Sequence, residues 1–333
     1  MPVVLLTPEE LFHKPAKCVD MLREANFEIE YPTEPTLARG LCSEQETIEQ
    51  LSVCDAVIAG GEWFTKDILA ALPRLRVIVR MGVGYDRVDV VAASERGIPV
   101  TITPNSNFDA VAEHTFALIF SVAKSVVNFD RSMRAGQWQR ELTSPLRKHT
   151  LGIFGLGRIG RAVAVRASAM GMKVIATEKY PDDTFVQRHA IQLVDLDVLL
   201  AESDYLSVHC PLNEETEGMF NKDLFAKMKP RSVFINTARG KIHVEADLIK
   251  ALSNGHLRAA GLDVFEEEPP VANNPLFEMD NVVVTPHIGG EDTLSVERMG
   301  IEAAECIIKL HNGEWPAGAA LNDELRDGWK WRR

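Results

Sequence analysis

The chain has 333 residues, of which 46% are hydrophobic, and a formal net charge of -12 with a pI near 5.3. This length predicts about two packed domains, and the negative charge argues against partners such as nucleic acid or an anionic membrane surface. We expect neither a signal peptide nor a membrane span, because the N-terminus lacks a basic lead and no apolar run is long enough. Five scattered cysteines without C-x-x-C spacing favour reduced thiols, a cytoplasmic location and no metal site.

Residues 1–103 alternate short apolar strands with helical patterns, which predicts a small, doubly wound parallel α/β sheet. Ligands of such a sheet bind near the carboxyl ends of its strands. One strand end is followed by Met81-Gly-Val-Gly-Tyr85, whose glycines can turn backbone N–H groups toward a carboxylate. An ordinary strand-to-helix turn explains this segment equally well. We expect Val83 and Gly84 to contact a substrate. The predicted strands are Val3–Leu6, Glu28–Tyr31, Ala56–Ala59, Val77–Val79 and Val100–Ile102.

Two long helical patterns are interpreted as crossings between domains. The first, Phe108–Met133, contains neither Pro nor Gly and is predicted to form one continuous helix. Its apolar face is longer than one small domain can cover, which predicts a homodimer. His114 within it is expected to be buried or at an interface. The second, Thr293–His311, returns the chain to the first domain, where the aromatic tail Trp329–Arg333 is expected to pack on a neighbouring surface.

A glycine motif, G-x-G-x-x-G, lies between two predicted strands. Gly155 allows a tight turn, Gly157 lets the backbone approach a pyrophosphate, and Gly160 lets helix and strand pack closely. Thr150–Phe154 is predicted to be the preceding strand. The helix Arg158–Met170 and the strand Met172–Thr177 complete a βαβ unit.

Glu178 follows the second strand of this unit, at the position where a carboxylate accepts hydrogen bonds from the adenosine ribose. A carboxylate there would repel the additional phosphate of NADP, so NAD is favoured as cofactor. Lys179 beside it weakens that preference, because a cation would attract the same phosphate.

Further apolar strands complete a six-stranded dinucleotide-binding pattern. We therefore predict two doubly wound parallel-sheet domains, with a Rossmann NAD-binding domain (104–290) inserted into a flavodoxin-like substrate domain (1–103 and 291–333). The remaining predicted strands are Tyr205–Cys210, Val233–Asn236, Leu257–Val264 and Val282–Thr285, and the helices are Lys222–Met228 and Val244–Leu252.

Three residues with suitable chemistry follow predicted strands of this domain: Arg239, Glu268 and His287. Reduction of a 2-keto acid by hydride transfer needs a dinucleotide, a fixed cation for the carboxylate and a proton donor at the keto oxygen. An arginine fork binds a carboxylate bidentately. A histidine oriented by a neighbouring carboxylate is suited to exchange the proton near neutral pH.

The motifs also resemble those of the D-isomer-specific 2-hydroxyacid dehydrogenases. The resemblance rests on Gly155-Leu-Gly-Arg-Ile-Gly160, Asn236-Thr-Ala-Arg-Gly240, Gly261-Leu-Asp-Val-Phe-Glu-Glu-Glu268 and Thr285-Pro-His-Ile-Gly-Gly290. It implies that Arg239 binds the substrate carboxylate, that His287 is the acid/base and that Glu268 orients His287. It also implies a dimer and a set of cofactor contacts. These contacts are Gly155, Gly157, Arg158, Ile159, Gly160, Glu178, Pro211, Thr237, Ala238, Arg239, Asp263, His287 and Gly289.

Some positions depart from the family pattern. Lys241-Ile-His243-Val244 stands where the family has Gly, an aliphatic pair and Asp or Asn, and Glu291-Asp292 replaces Ala-Thr. The keto acid therefore stays open, with glyoxylate, hydroxypyruvate or a phosphorylated relative as candidates. Two alternatives also stay open: a cofactor-sensing binding protein similar to the C-terminal-binding-protein corepressors, and a phosphite-oxidising enzyme. The absence of Trp shortly after His287 favours the dehydrogenase over the corepressor.

Overall fold

The computed structural model describes residues 1–331, and the chain divides into two compact units. Unit 1 consists of Met1–Asn107 together with the segment that begins at Glu291, and unit 2 is Phe108–Gly290. Each unit is built on one parallel sheet covered by helices, so the predicted fold class is confirmed. The last two residues of the predicted aromatic tail, Arg332 and Arg333, lie outside the described residues.

Unit 1 contains five parallel strands in the order β2-β1-β3-β4-β5, which is the flavodoxin-like order. Strands β1 and β3 are apolar and buried along their whole length, as expected for central strands covered on both faces. The strands are β1 (Val3–Leu6), β2 (Glu28–Glu30), β3 (Ala56–Ala59), β4 (Val77–Arg80) and β5 (Val100–Thr101), and the helices are α1 (Lys17–Glu24), α2 (Glu44–Leu51), α3 (Lys66–Ala70) and α4 (Val90–Glu95).

Unit 2 contains seven parallel strands in the order β12-β11-β10-β9-β6-β7-β8. The strands are β6 (Thr150–Phe154), β7 (Lys173–Thr177), β8 (Gln192–Leu193), β9 (Tyr205–Val208), β10 (Val233–Asn236), β11 (Ala259–Leu262) and β12 (Val282–Val284). The helices are α5 (Phe108–Ala123), α6 (Val126–Arg134), α7 (Arg158–Ala169), α8 (Asp183–Arg188), α9 (Leu196–Glu202), α10 (Lys222–Lys227) and α11 (Glu245–Ser253). The predicted count of six strands was wrong, because the exposed two-residue edge strand β8 carries no apolar pattern.

The predicted continuous helix over Phe108–Met133 was also wrong. It is divided into α5 and α6, whose axes differ by 60°. Ser125 has a φ of 52°, in the left-handed region, which interrupts the helical hydrogen bonds. Ser144 stabilises the break, since its N–H donates to the Ala123 carbonyl at 3.0 Å and its carbonyl accepts from Lys124 Nζ at 2.7 Å.

After unit 2 the chain continues in helix α12 (Thr293–His311), whose bounds agree with the sequence prediction. Its buried residues Ala303, Ala304 and Ile307 belong to the same apolar cluster as β1 and α1. Trp329 also joins this cluster, and its indole N–H donates to the Gly97 carbonyl at 2.8 Å. The described part of the tail is thus packed on unit 1, as predicted.

Between residues 1 and 331, no single helix is both long and apolar enough to span a membrane. The bent pair α5 and α6 meets that test only when the two helices are taken together.

Candidate active site

The glycine turn between β6 and α7 has the shape that a pyrophosphate needs. A Cβ atom at Gly155, where φ is 98°, would lie 2.7 Å from the Cys210 nitrogen, and a Cβ at Gly160 would collide with the Gly155 carbonyl. A Cβ at Gly157 would meet nothing within 4 Å, so space is open where the backbone would approach the phosphates. Gly157 is the N-cap of α7 and no side chain caps it, which leaves the first N–H groups of the helix available for an anion.

Glu178 follows β7 and lies beside this turn. Its carboxylate accepts the Leu156 N–H at 2.7 Å and the Tyr180 N–H at 2.9 Å. Each carboxylate oxygen has a second lone pair, so Glu178 can still accept hydrogen bonds from ribose hydroxyls. Lys179 Nζ forms an exposed ion pair with Glu215 at 3.0 Å, which reduces its availability for a phosphate.

Arg239 is half-buried in the turn that follows β10. Its Nη1 donates to the Ala238 carbonyl at 2.6 Å. Its positive charge contributes to lowering the pKa of Glu268, so the two side chains share one electrostatic environment. Thr237 in the same turn is buried, and its hydroxyl lies 3.0 Å from that of Thr115 on α5.

His287 and Glu268 form a hydrogen-bonded pair. Nδ1 of His287 lies 2.8 Å from Oε2 of Glu268, and the side chains are 43% and 21% exposed. Burial raises the pKa of Glu268, but the hydrogen bond and charge of His287, the Phe265 N–H and the Arg239 charge outweigh it, so this pKa lies below its usual value. With Nδ1 held by the carboxylate, Nε2 is the nitrogen that can exchange a proton with a ligand.

Asp263 holds the backbone around His287. Its carboxylate accepts the Thr285 hydroxyl at 2.6 Å, the Ile288 N–H at 3.0 Å and the Gly289 N–H at 2.8 Å. Nε2 of His114 lies 3.3 Å from the same carboxylate and 2.8 Å from the Thr285 hydroxyl. Burial raises the pKa of Asp263, but these hydrogen bonds lower it by more than burial raises it. The pKa of Asp263 therefore lies below its usual value.

In unit 1, the turn after β4 contains the two residues that were predicted to contact a substrate. Val83 and Gly84 are half-buried in it. Arg80 supports the turn, because its Nε donates to the Gly84 carbonyl at 3.2 Å. Behind Arg80 lies Glu62, which is fully buried at 3.7 Å from Arg80 Nη1. Burial raises the pKa of Glu62 to about 7 against the lowering effect of the Arg80 charge.

The remaining predicted positions are more dispersed. Pro211 is exposed in the segment after β9, and Arg158 and Ile159 form the start of α7. The departure at Glu291-Asp292 has a structural explanation for its second residue. Asp292 caps α12 by accepting the Ser295 N–H at 2.6 Å.

Several polar partners were not identified from the sequence, although some of the residues that they support were. Thr285 and Asn236 lie within recognised motifs, yet no role was assigned to them. Arg80 lies at the end of β4 in a stretch that also resembles the family, yet no role was assigned to it, and Glu62 carries no signal of its own. His243 lies in the segment that departs from the family pattern, and that departure was its only signal.

Comparison with known proteins agrees with this geometry. Residues 116–289 match the family model described as D-isomer specific 2-hydroxyacid dehydrogenase, NAD binding domain. The chain is 37% identical over 311 residues to a D-3-phosphoglycerate dehydrogenase of Archaeoglobus fulgidus, covering 92% of this chain but only 57% of that relative. It is also 37% identical over 290 residues to a glyoxylate reductase of Korarchaeum cryptofilum, covering 85% of this chain and 87% of the relative.

A solved structure has the same fold. The D-lactate dehydrogenase from Aquifex aeolicus, complexed with NAD and lactic acid, superimposes with a TM-score of 0.81 and 29% identity, covering 96% of this chain and 98% of that one. These relatives are named as dehydrogenases or reductases, which favours an enzyme over the corepressor-like and phosphite-oxidising alternatives.

Proposed function

The chain belongs to the D-isomer-specific 2-hydroxyacid dehydrogenase family, and on that premise we propose that it interconverts a small 2-keto acid and its D-2-hydroxy acid by hydride transfer with NAD. The observation that carries the proposal is the His287–Glu268 pair at 2.8 Å, in the same unit as Arg239 and an uncapped glycine turn. Glyoxylate, hydroxypyruvate and a phosphorylated relative are the candidate substrates.

Each residue has a separate task in this mechanism. In reduction, the bound cofactor supplies the hydride. Arg239 binds the substrate carboxylate and polarises the keto oxygen. His287 donates a proton from Nε2 to the developing alkoxide, and Glu268 stabilises the imidazolium before transfer. The assignment of Val83 and Gly84 as substrate contacts stays a prediction.

Arg239 offers the direct test of this assignment. The wild-type protein should oxidise NADH with at least one short 2-keto acid and should ignore aldehydes that lack a carboxylate. Arg239→Ala should lower kcat/KM, which corresponds to an activation free energy higher by about 3 kcal/mol, because a charged donor in a water-poor site is lost. The matched control is Arg188→Ala, an exposed arginine at the end of α8 in the same unit. Near wild-type efficiency in Arg239→Ala would remove Arg239 from the site.

We also propose a preference for NAD over NADP, supported by the Glu178 carboxylate beside the glycine turn. A cytoplasmic location is proposed from the five free cysteines. Burial raises the pKa of both Cys54 and Cys210 to about 12, which keeps these thiols protonated.

A homodimer is the proposed assembly, and it is supported by exposed apolar side chains on unit 2. They include Phe120, Val126, Val127, Met133, Trp138, Leu142 and Val165. Light scattering at low micromolar concentration should give a particle of about 74 kDa, twice the chain mass of 37.0 kDa. Leu142→Glu should shift it to the monomer, whereas Tyr180→Glu, at another exposed position of unit 2, should not. A 37 kDa wild-type particle would contradict the dimer.

A further inference from the structure

Asn236 braces the turn that carries Arg239. Its side chain is fully buried at the end of β10. Its Oδ1 accepts the Ala238 N–H at 2.9 Å, and its Nδ2 donates to the Arg239 carbonyl at 2.8 Å. These two bonds fix the orientation of the amide, because Oδ1 must face a donor and Nδ2 must face an acceptor. The backbone of Arg239 is therefore held by one buried side chain.

His243 holds Asn236 in turn. Nδ1 of His243 lies 3.1 Å from Asn236 Nδ2, and the ring is 1% exposed, packed edge-on against Phe234. Since Nδ2 is a donor, Nδ1 must be an acceptor, which places the ring proton on Nε2. Both amide hydrogens of Asn236 are then used, one by Arg239 and one by His243. Burial lowers the pKa of His243 to about 4, so the ring is neutral near neutral pH and Nδ1 remains an acceptor.

The second ring nitrogen, Nε2, helps to explain why a histidine occupies this position. Nε2 is buried and has no hydrogen-bond partner among the described residues. A buried N–H without a partner destabilises a fold. Space filling alone would favour an aliphatic side chain here, so the acceptor at Nδ1 is the property that distinguishes histidine at this position.

We propose that His243 is a positioning residue for Arg239, which orients the substrate-binding turn through the Asn236 amide. This inference rests on the proposed function, since Arg239 must bind the keto acid for its position to matter. It assigns a role within the Lys241–Val244 segment, where the chain departs from the pattern of its family.

Two substitutions separate the acceptor from the volume of the ring. His243→Leu keeps most of the volume and removes the acceptor. It eliminates the unpaired Nε2–H but leaves one Asn236 N–H unpaired, so the melting temperature should stay close to wild type. His243→Asn places Oδ1 where Nδ1 was, which keeps the acceptor, but it leaves a cavity and should lower the melting temperature.

Steady-state kinetics should show the opposite order. His243→Leu should lower kcat/KM for the keto acid about tenfold, mainly through KM, while the KM for NADH stays within about twofold. His243→Asn should restore the keto-acid KM to near the wild-type value despite its lower melting temperature. The inference is overturned if His243→Leu leaves the keto-acid KM unchanged, or if His243→Asn is impaired as much as His243→Leu. A wild-type protein that reduces no keto acid would instead refute the proposed function.

Discussion

Glu268→Gln tests whether Glu268 and His287 act as one unit. The substitution keeps the size of the side chain and an acceptor for Nδ1 of His287 but removes the negative charge. In the proposed mechanism reduction requires His287 to be protonated, so kcat/KM for the keto acid should fall as the pH rises. Because the pKa of Glu268 is below its usual value, the wild-type carboxylate stays ionised across the neutral range and stabilises the imidazolium.

The expected size of the effect follows from the geometry of the pair. At 2.8 Å the wild-type contact is a charge-assisted hydrogen bond. Such bonds contribute about 1 to 1.5 kcal/mol more than neutral ones, which corresponds to roughly one pH unit. The His287 side chain is 43% exposed, so solvent screening reduces the shift. The alkaline limb should therefore move to lower pH by about 0.5 to 1 unit.

The assay is NADH oxidation followed by absorbance across the neutral range, with the reverse reaction measured in parallel. In the proposed mechanism oxidation of the hydroxy acid requires neutral His287, so the acidic limb of that reaction should move to lower pH by the same amount. Glu267→Gln is the matched control, because it removes one charge from the neighbouring exposed residue. If Glu268→Gln leaves both limbs unchanged, or if Glu267→Gln moves them equally, the pair is not coupled.

Three further outcomes are expected. Glu178→Ser should move the NADH/NADPH ratio of kcat/KM toward NADPH, and an unchanged ratio would place the ribose elsewhere. Gly157→Ala should fold with a wild-type melting temperature yet weaken NADH binding about tenfold or more, because the open space at Gly157 is where the phosphates would lie. A titration followed by NADH fluorescence that gave the wild-type affinity would contradict this. The pKa of Glu62 is raised from 4.5 to about 7. Between these two pH values the folded protein keeps the Glu62 carboxyl protonated while the unfolded chain has lost that proton, so the free energy of unfolding should fall as the pH rises from one value to the other. Glu62→Gln should reduce this loss by about 3 kcal/mol in urea unfolding, and an equally steep loss would refute it.

The central strands of both sheets could be predicted because they are short, apolar and buried along their length. The break after α5 could not. It depends on Ser125 adopting a left-handed conformation and on Ser144 bonding to Ala123, which is a contact between segments that are separate in the sequence. Strand β8 was missed for a different reason: Gln192 and Leu193 are both exposed, so an edge strand of this length leaves no hydrophobic signal.

In the candidate site, too, the residues could be predicted from the sequence, whereas contacts between distant segments could not. Arg239, Glu268 and His287 were predicted because their types and their positions after strands suit a known chemistry. The structure brings Glu268 and His287 into contact, although 19 positions separate them. His114 and Thr285 are 171 positions apart, and their hydrogen bond could not be foreseen from either local pattern. Asp263 was predicted as a cofactor contact, which stays a prediction, while its observed partners are backbone groups beside His287.

Two buried polar side chains at the ends of neighbouring strands hold the backbone of this site in place. Asn236 is the last residue of β10 and holds the backbone of Arg239, while Asp263 follows β11 and holds the backbone on the C-terminal side of His287. His287 needs such support, because its φ of 56° is unfavourable for a residue with a Cβ atom. The Asp263 N–H donates to the Asn236 carbonyl at 3.0 Å, so the two supports are joined by a hydrogen bond of the sheet itself. A parallel sheet therefore fixes the spacing between the proposed carboxylate-binding and proton-donating groups, and each group is held by its own buried partner.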